Sequence, residues 1–331
     1  MRARLITIFS LLLAPWEAEA TAVRAPVAVI GSTGRLGRLA VQQLVERGYP
    51  VRILLRHDLA ASPSSEADAE PAAVAAWLAT MPGVLPVKGD VTNRESVDEL
   101  LRGCSACLAL HGARRSRKLS DLWSDPTTDP KHSKNVNYEG VRNLIEAAQA
   151  SETCRRLVRI TGKGETPWSI FSILINGLGS MAKAWNYEGE QLLRACKDID
   201  YTIIRPGVMG RVDDVPADSL ALADNGGDLK VSSIAHGAIA SLCVECLDHP
   251  NAARTTLTAM SVPPGEGASS WEALLQRVKP DSRAFRADLL AEHLLAMRVG
   301  GTAIIAAMAL FAAGVLNVLK MLVLALVGLV R

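Results

Sequence analysis

The sequence predicts an α/β fold: a doubly wound parallel sheet with a small C-terminal extension and a C-terminal transmembrane helix. Three observations carry this. Apolar runs of strand length alternate with helical patterns between residues 27 and 204. The first run ends in a glycine-spaced turn, Gly31-x-x-Gly34-x-x-Gly37, that opens a helix. The chain also holds a 32-residue apolar run, 299–330, interrupted only by Asn317 and Lys320.

Strands read at residues 27–30, 51–55, 84–87, 106–110, 157–160 and 201–204, and helices at 36–47, 71–80, 94–102, 135–150 and 181–195. Alternation of the two implies a parallel sheet covered on both faces. Two segments, HDLAASPSSEADAEP and ARRSRKLSDLWSDPTTDPKHSK, read as exposed loops. After Arg205-Pro206-Gly207 the pattern changes. A short strand near 229–232, a helix at 234–247, a strand at 255–258 and helices at 271–278 and 286–297 lead to the apolar run.

Hydrophobic residues make up 49% of the 331, and the mean hydropathy is +0.18. The excess sits at the two ends. Arg2 and Arg4, an apolar run over 5–14 and Ala18-Glu19-Ala20 have the layout of a secretory signal peptide. That run is too short to span a bilayer. As a helix, 299–330 would be roughly 48 Å long against a hydrocarbon core of about 30 Å. It is too long and too uniformly apolar for a buried core helix, and reads as a membrane anchor with Lys320 snorkelling. A net charge of +2 and 4% aromatic residues leave no footprint for nucleic acid. Six cysteines include two C-x-x-C pairs, Cys104/Cys107 and Cys243/Cys246. The first runs into a strand and the second lies on an apolar helix face, whereas zinc ligand pairs sit on turns, so no metal site is expected.

The glycine turn is built for a dinucleotide. Gly31 permits the sharp turn, Gly34 lets the backbone approach a pyrophosphate, and Gly37 allows close strand–helix contact, while the helix N-terminus stabilises phosphate charge. Strand, turn, helix and second strand fall in register, which supplies the specificity a lone glycine pattern lacks. The whole turn, Gly31, Ser32, Thr33, Gly34, Arg35, Leu36 and Gly37, is therefore expected at the cofactor. The second strand ends in Arg56 rather than an acid, which suits a ribose 2′-phosphate, and Arg35 lies within reach of the same group. NADP is favoured over NAD.

The motifs GSTGRLG, LLR, VKGDVTNRESVDELLRGCSACLALHGA, NVNYEGVRNLIEAAQ and DIDYTIIRPGVM resemble those of the atypical short-chain dehydrogenase/reductases of the NAD(P)-binding, NmrA-like type. The likeness covers roughly residues 27–257 and implies a Rossmann-type sheet. It also implies that Asp90 and Val91 border the adenine and that Leu110, His111 and Gly112 line the trough. Thr161 and Gly162 are implied near the nicotinamide, with Pro206, Gly207 and Val208 closing over it. Membrane-associated relatives of this type in photosynthetic organisms act as pigment reductases, or as assembly and stability factors for photosynthetic complexes. The organisation expected is a signal peptide (1–20), the NAD(P)-binding domain (26–265), a helical linker (266–298) and the anchor (299–330).

Chemistry is harder to place. Such reductases protonate a carbonyl with the tyrosine of a Y-x-x-x-K motif, whose lysine binds ribose and lowers the tyrosine pKa. Here Lys183 and Tyr187 share a helical face in the reverse order. Side chains lean toward a helix N-terminus, so the reversal is not equivalent. Thr161 stands nearest to the usual serine. The insert TPWSIFSILINGLGSM reads equally as a hydrophobic substrate wall, a membrane-surface contact or a core helix. His111 reads as a trough-lining residue or a proton donor, and His236 as a surface or capping residue. Arg114, Arg115, Arg117 and Lys118 read as a solvated charge run, with an anionic ligand as the alternative.

Two functions follow. One is a membrane-anchored NADPH-dependent oxidoreductase acting on a hydrophobic pigment, quinone or lipid-like carbonyl, with Tyr187, Lys183 and Thr161 as catalytic candidates. The other is a non-catalytic NADP-binding scaffold that assembles or senses a membrane complex. A plastid membrane, thylakoid or envelope, reached through the secretory route reconciles the leader with a reduced-nucleotide site; the endoplasmic reticulum and, more remotely, the mitochondrion are the other locations considered.

Overall fold

Strand β1 (Val27–Ile30) shows how the apolar pattern becomes a layered molecule. Side chains alternate across a strand. Val27 and Val29 pack with Leu36, Ala40 and Leu44 of helix α1 (Arg35–Glu46) on one face. Ala28 and Ile30 pack on the other with Val97 and Leu100, which belong to the helix at Arg94–Leu101, and with Val141 and Leu144 from the helix at Gly140–Ala150. A strand covered on both sides has no polar positions, hence VAVI.

The computed structural model describes residues 24–56, 58–59, 66–113, 128–210, 213 and 216–329. The elements after α1 are β2 (Val51–Leu55), α2 (Glu66–Ala79), β3 (Val84–Lys88), α3 (Arg94–Leu101), β4 (Ala106–Ala109), α4 (Gly140–Ala150), β5 (Arg156–Ile160), α5 (Ile170–Leu178), α6 (Ala182–Ala195) and β6 (Asp200–Pro206). They are followed by β7 (Val208–Met209), β8 (Leu220–Ala223), β9 (Ser233–Ile234), α7 (His236–Asp248), β10 (Thr255–Ser261), α8 (Trp271–Leu275) and α9 (Leu289–Leu329). Among these residues one sheet has the order β3-β2-β1-β4-β5-β6-β10-β8, parallel except for β8, which runs antiparallel to β10. The chain winds outward from β1 in both directions. That puts the topological switch, and the crevice it opens at the carboxyl ends, between β1 and β4.

The predicted Rossmann-type sheet is therefore present, with local differences. Helix α2 starts before Pro71, because the Ala- and Glu-rich EADAE favours helix and Pro71 removes only one backbone donor. Part of the expected loop is thus helical. The expected strand near 229–232 is absent, and pairing falls instead on β9, which joins β7 in a separate two-stranded ladder. Strand β8 has no signature in the sequence, because a four-residue LALA carries no contrast between its faces. The helix before residue 140 opens as a wide π turn over Lys134–Glu139. Helix α8 stops at Leu275, short of the expected 278.

The segment expected as a helical linker, 266–298, is helical only at α8 and from Leu289 onward, where it is continuous with the expected anchor. Residues 276–288 form an irregular strap held against the sheet. In it, Asp281 accepts hydrogen bonds from the Thr256 amide at 2.9 Å, the Thr256 hydroxyl at 2.7 Å and the Tyr201 hydroxyl at 3.1 Å. Helix α9 then runs unbroken for 41 residues, about 60 Å. It is long and apolar enough to cross a membrane, and the described side chains from residue 305 to 324 are all exposed. Residues 1–20, expected as a signal peptide, and the basic cluster Arg114–Lys118 lie outside the described residues.

Candidate functional site

The glycine turn has the close backbone contacts that its spacing predicts. Gly31 has φ +85°, and a Cβ there would lie 2.8 Å from the His111 amide nitrogen. A Cβ on Gly37 would lie 2.1 Å from the Gly31 carbonyl oxygen. Only glycine admits both contacts. Helix α1 begins with Gly34 as its uncapped N-terminal residue and with no acid in its first turn. Its amides and the positive end of its dipole therefore face the crevice without a competing carboxylate.

The crevice is a cleft of about 450 Å³ walled by Gly31, Thr33, Gly34, Leu55, Arg56, Asp90, Val91, Leu110, His111 and Gly112, with Pro71 and Lys131 at its rim. Asp90 is held as an Asx turn by the Thr92 amide at 2.9 Å and hydroxyl at 2.8 Å. Val91 is fixed against Gly140, where a Cβ would come within 3.0 Å of it. Arg56 stands exposed at the end of β2. Ser32 Oγ and both His111 ring nitrogens are buried and make no ordinary hydrogen bond among the described residues. Burial, then the nearby Arg159 guanidinium, hold the His111 pKa well below its usual range. Neutral imidazole fits a trough wall better than a proton donor. A glycine cradle, uncapped helix amides and orphaned polar atoms together fit a nucleotide. Arg35 is exposed at the start of α1, while Leu36 and Gly37 turn into the core.

The catalytic candidates do not line this cleft. Thr161, Pro206, Gly207 and Val208 lie at the carboxyl ends of β5 and β6, about 5 and 10 Å along the sheet from β4. Thr161 Oγ1 donates to Glu190 Oε1 at 2.6 Å. The buried Tyr187 hydroxyl donates to the Arg286 carbonyl of the strap at 2.7 Å. Burial, then Glu165, push its pKa up to about 12, opposite to what a proton-donating tyrosine needs. Lys183 Nζ donates to Ser172 Oγ of α5 at 2.7 Å, and burial lowers its pKa to about 8, with Lys163 adding to the effect. Lys183 and Tyr187 share a helix face but reach different elements. The structure does not bring the three together at an open site.

What fills that region is an ion network. Glu190 of α6 pairs with Arg205 of β6 and with Arg194. Arg205 also bonds Glu165 at 2.8 Å, and Arg283 from the strap bonds Glu165 at 2.7 Å. Burial alone would raise the Glu190 pKa, but the guanidinium of Arg205 outweighs it and holds the carboxyl below its usual range. Arg159 of β5 donates to the His111 carbonyl at 2.6 Å and to Asn186 Oδ1 at 2.9 Å, so it braces the trough from behind. The signal for this group was charge inside apolar strands, as in RLVRI and TIIRP. His236 opens α7 and is buried rather than at the surface. Cys107 lies within β4 and Cys243 and Cys246 within α7, all buried.

The sequence model of the NAD(P)H-binding family matches residues 31–250, from the glycine turn to the end of α7. The chain belongs to that family. Among curated proteins this NAD(P)H-binding chain is 31% identical over 123 residues to the photosystem II assembly factor Ycf39 of Trieres chinensis, covering 37% of this chain and 30% of that protein. It is 24% identical over 190 residues to the chloroplastic protein TIC 62 of Arabidopsis thaliana, covering 57% of this chain and 28% of that one. The matched stretches thus span about a third or less of these relatives. The solved structure of an oxidoreductase from Lactococcus lactis has a TM-score of 0.54 at 16% identity, over 78% of this chain and 100% of that one. That is a likeness of fold. The resemblance to atypical short-chain reductases read from the motifs is borne out.

Proposed function

We infer that this protein is a membrane-anchored NAD(P)H-binding assembly or sensor factor that responds to nucleotide without turning over a substrate. One observation carries the reading: the donor groups of Thr161, Lys183 and Tyr187 are all engaged by other parts of the chain, while the nucleotide cleft is intact. Gly31, Gly34 and the first amides of α1 hold the pyrophosphate, Asp90 and Val91 border the adenine, and Arg56 with Arg35 selects NADP through its 2′-phosphate. Bound nicotinamide would supply a hydride acceptor or donor, and here it serves as a state to be read. The names of the curated relatives, an assembly factor and a chloroplastic protein, support a role beside a membrane complex in a plastid. Helix α9 is the anchor.

The test is NADPH titration of the full chain in detergent, followed by NADPH oxidation with a panel of hydrophobic carbonyl and pigment substrates. Saturable binding without turnover is expected. Gly31→Ala should abolish binding, and Arg56→Ala should reduce the preference for NADPH over NADH about tenfold, the scale of one charge-assisted contact. Turnover that Tyr187→Phe removes would overturn the reading and establish the reductase. Binding that survives Gly31→Ala would remove the cleft from the argument.

A further inference from the structure

Helix α5 comes from the apolar insert and packs on the start of α9. Ile173 fills the notch at Gly300, where a Cβ would lie 2.5 Å from Ile173 Cδ1. Asn176 Nδ2 meets His293 Nδ1 at 3.0 Å, and His293 Nε2 meets the Gly164 carbonyl at 2.7 Å. Asn176 thus sits beside His293 and Ile173 beside Gly300, so α5 runs antiparallel to α9. Its N-terminal end points toward the apolar stretch where α9 leaves the protein body.

The face of α5 turned away from α9 is apolar and uncovered. Ile170 is 65% exposed and Phe171 69%, with Leu174 and Leu178 continuing the stripe at helical spacing and Trp168 51% exposed just before it. No ionisable residue occurs from 166 to 182. A stripe of this kind in water leaves large side chains hydrated with nothing to offset them. The 20 residues of α9 from 305 to 324 suffice for the hydrocarbon core. Gly300, level with Ile173, then lies about 8 Å outside that core. Phe171, Ile170 and Trp168, closer to it by up to a turn of α5, fall in the boundary layer that interfacial apolar helices occupy.

We propose that α5 sets its N-terminal end, with Trp168, Ile170 and Phe171, into the surface of the same bilayer that α9 crosses. The NAD(P)H-binding domain is then docked at two points instead of tethered at one. The occupant is lipid because the N-terminal end of the stripe points along α9 toward residues 305–324, whose side chains are all exposed and apolar enough for a span. Trp168 at the rim suits the headgroup level. The inference rests on α9 being the anchor.

The experiment places an environment-sensitive fluorophore at single new cysteines, Phe171→Cys, Met308→Cys on α9 and Trp77→Cys on α2, in the full chain. The six native cysteines are buried, which directs the label. Each protein is reconstituted in phosphatidylcholine–phosphatidylglycerol vesicles containing lipids with a nitroxide near the head of the acyl chain. NADPH binding by each labelled protein verifies the fold. The labels at 171 and 308 should shift to the blue and lose about half their emission to the nitroxide, while the label at 77 keeps its own. Quenching at 308 but not at 171 overturns the contact of α5 with the bilayer surface and leaves the anchor standing. Quenching at neither overturns the anchor and the docking with it. A blue shift at 171 without nitroxide quenching also overturns the proposal, in favour of a protein occupant.

Discussion

Lys183 shows how one position decides between two chemistries. A lysine that binds ribose must stand at the cofactor, whereas this one is half-buried against α5 and bonded to Ser172. Its pKa falls from 10.5 to about 8, with burial as the main cause. The depressed value means that the folded protein binds fewer protons than the unfolded chain between about pH 8 and pH 10.5. Stability therefore rises with pH across that window, and below about pH 8 the full cost of the buried charge is present. Lys183→Met should remove this rise. The difference in unfolding free energy between the two proteins, followed by urea denaturation, should move by on the order of 2 kcal/mol in favour of the wild type as pH is raised. A difference that stays constant with pH would mean that the ammonium is solvated and its bond to Ser172 is not formed.

At the scale of elements, the ion network joins β6, α6, the loop after β5 and the strap. Glu190 sits fully buried between two guanidiniums, and Thr161 is tied into the same carboxylate. Removing one partner of such a group leaves charge buried without compensation, so Glu190→Gln should cost about 3–5 kcal/mol by denaturant unfolding. The sign with acid follows from the lowered pKa of Glu190: its contribution is present above the ordinary glutamate value near 4.5 and is lost as pH falls below it. The variant should accordingly show a shallower loss of stability in acid than the wild type. Helices α5 and α6 owe their junction to a different device. Ser180 and Met181 take left-handed φ values of 51° and 60°, and Asn176 Oδ1 accepts the amides of Lys183 at 3.0 Å and Ala184 at 3.2 Å. One side chain thereby caps α6 and meets His293 of α9.

For the whole molecule, the sheet divides the work. The half from β3 to β4 carries the cleft, and the half from β5 to β8, with α6 and the strap, carries the ion network. NADPH at a hundred times its dissociation constant should stabilise the protein by about 2.7 kcal/mol. Hydrogen exchange should then slow at 31–38 and 110–113. Slowing that also reaches Thr161 and Gly207 would show the nicotinamide extending over β5 and β6, as the family resemblance implies. Slowing confined to the first half would keep the ion network apart from the nucleotide.

Read by itself, the sequence determined what depends on local spacing. The glycine turn, the apolar strand runs and the apolar tail each rest on residues close together in the chain, so the doubly wound sheet, the position of the cleft and a span-length helix were legible. Arg56, Asp90 and His111 reached the cleft because they sit at strand ends, where the topology sends them. Tertiary structure alone decided what depends on partners far away in sequence. Whether Tyr187 faces a substrate or Arg286 is set by a strap 99 residues later, and the apolar insert acquires its meaning from a glycine in α9. A hydroxyl's chemistry is set by the group it bonds, and no local pattern names that group.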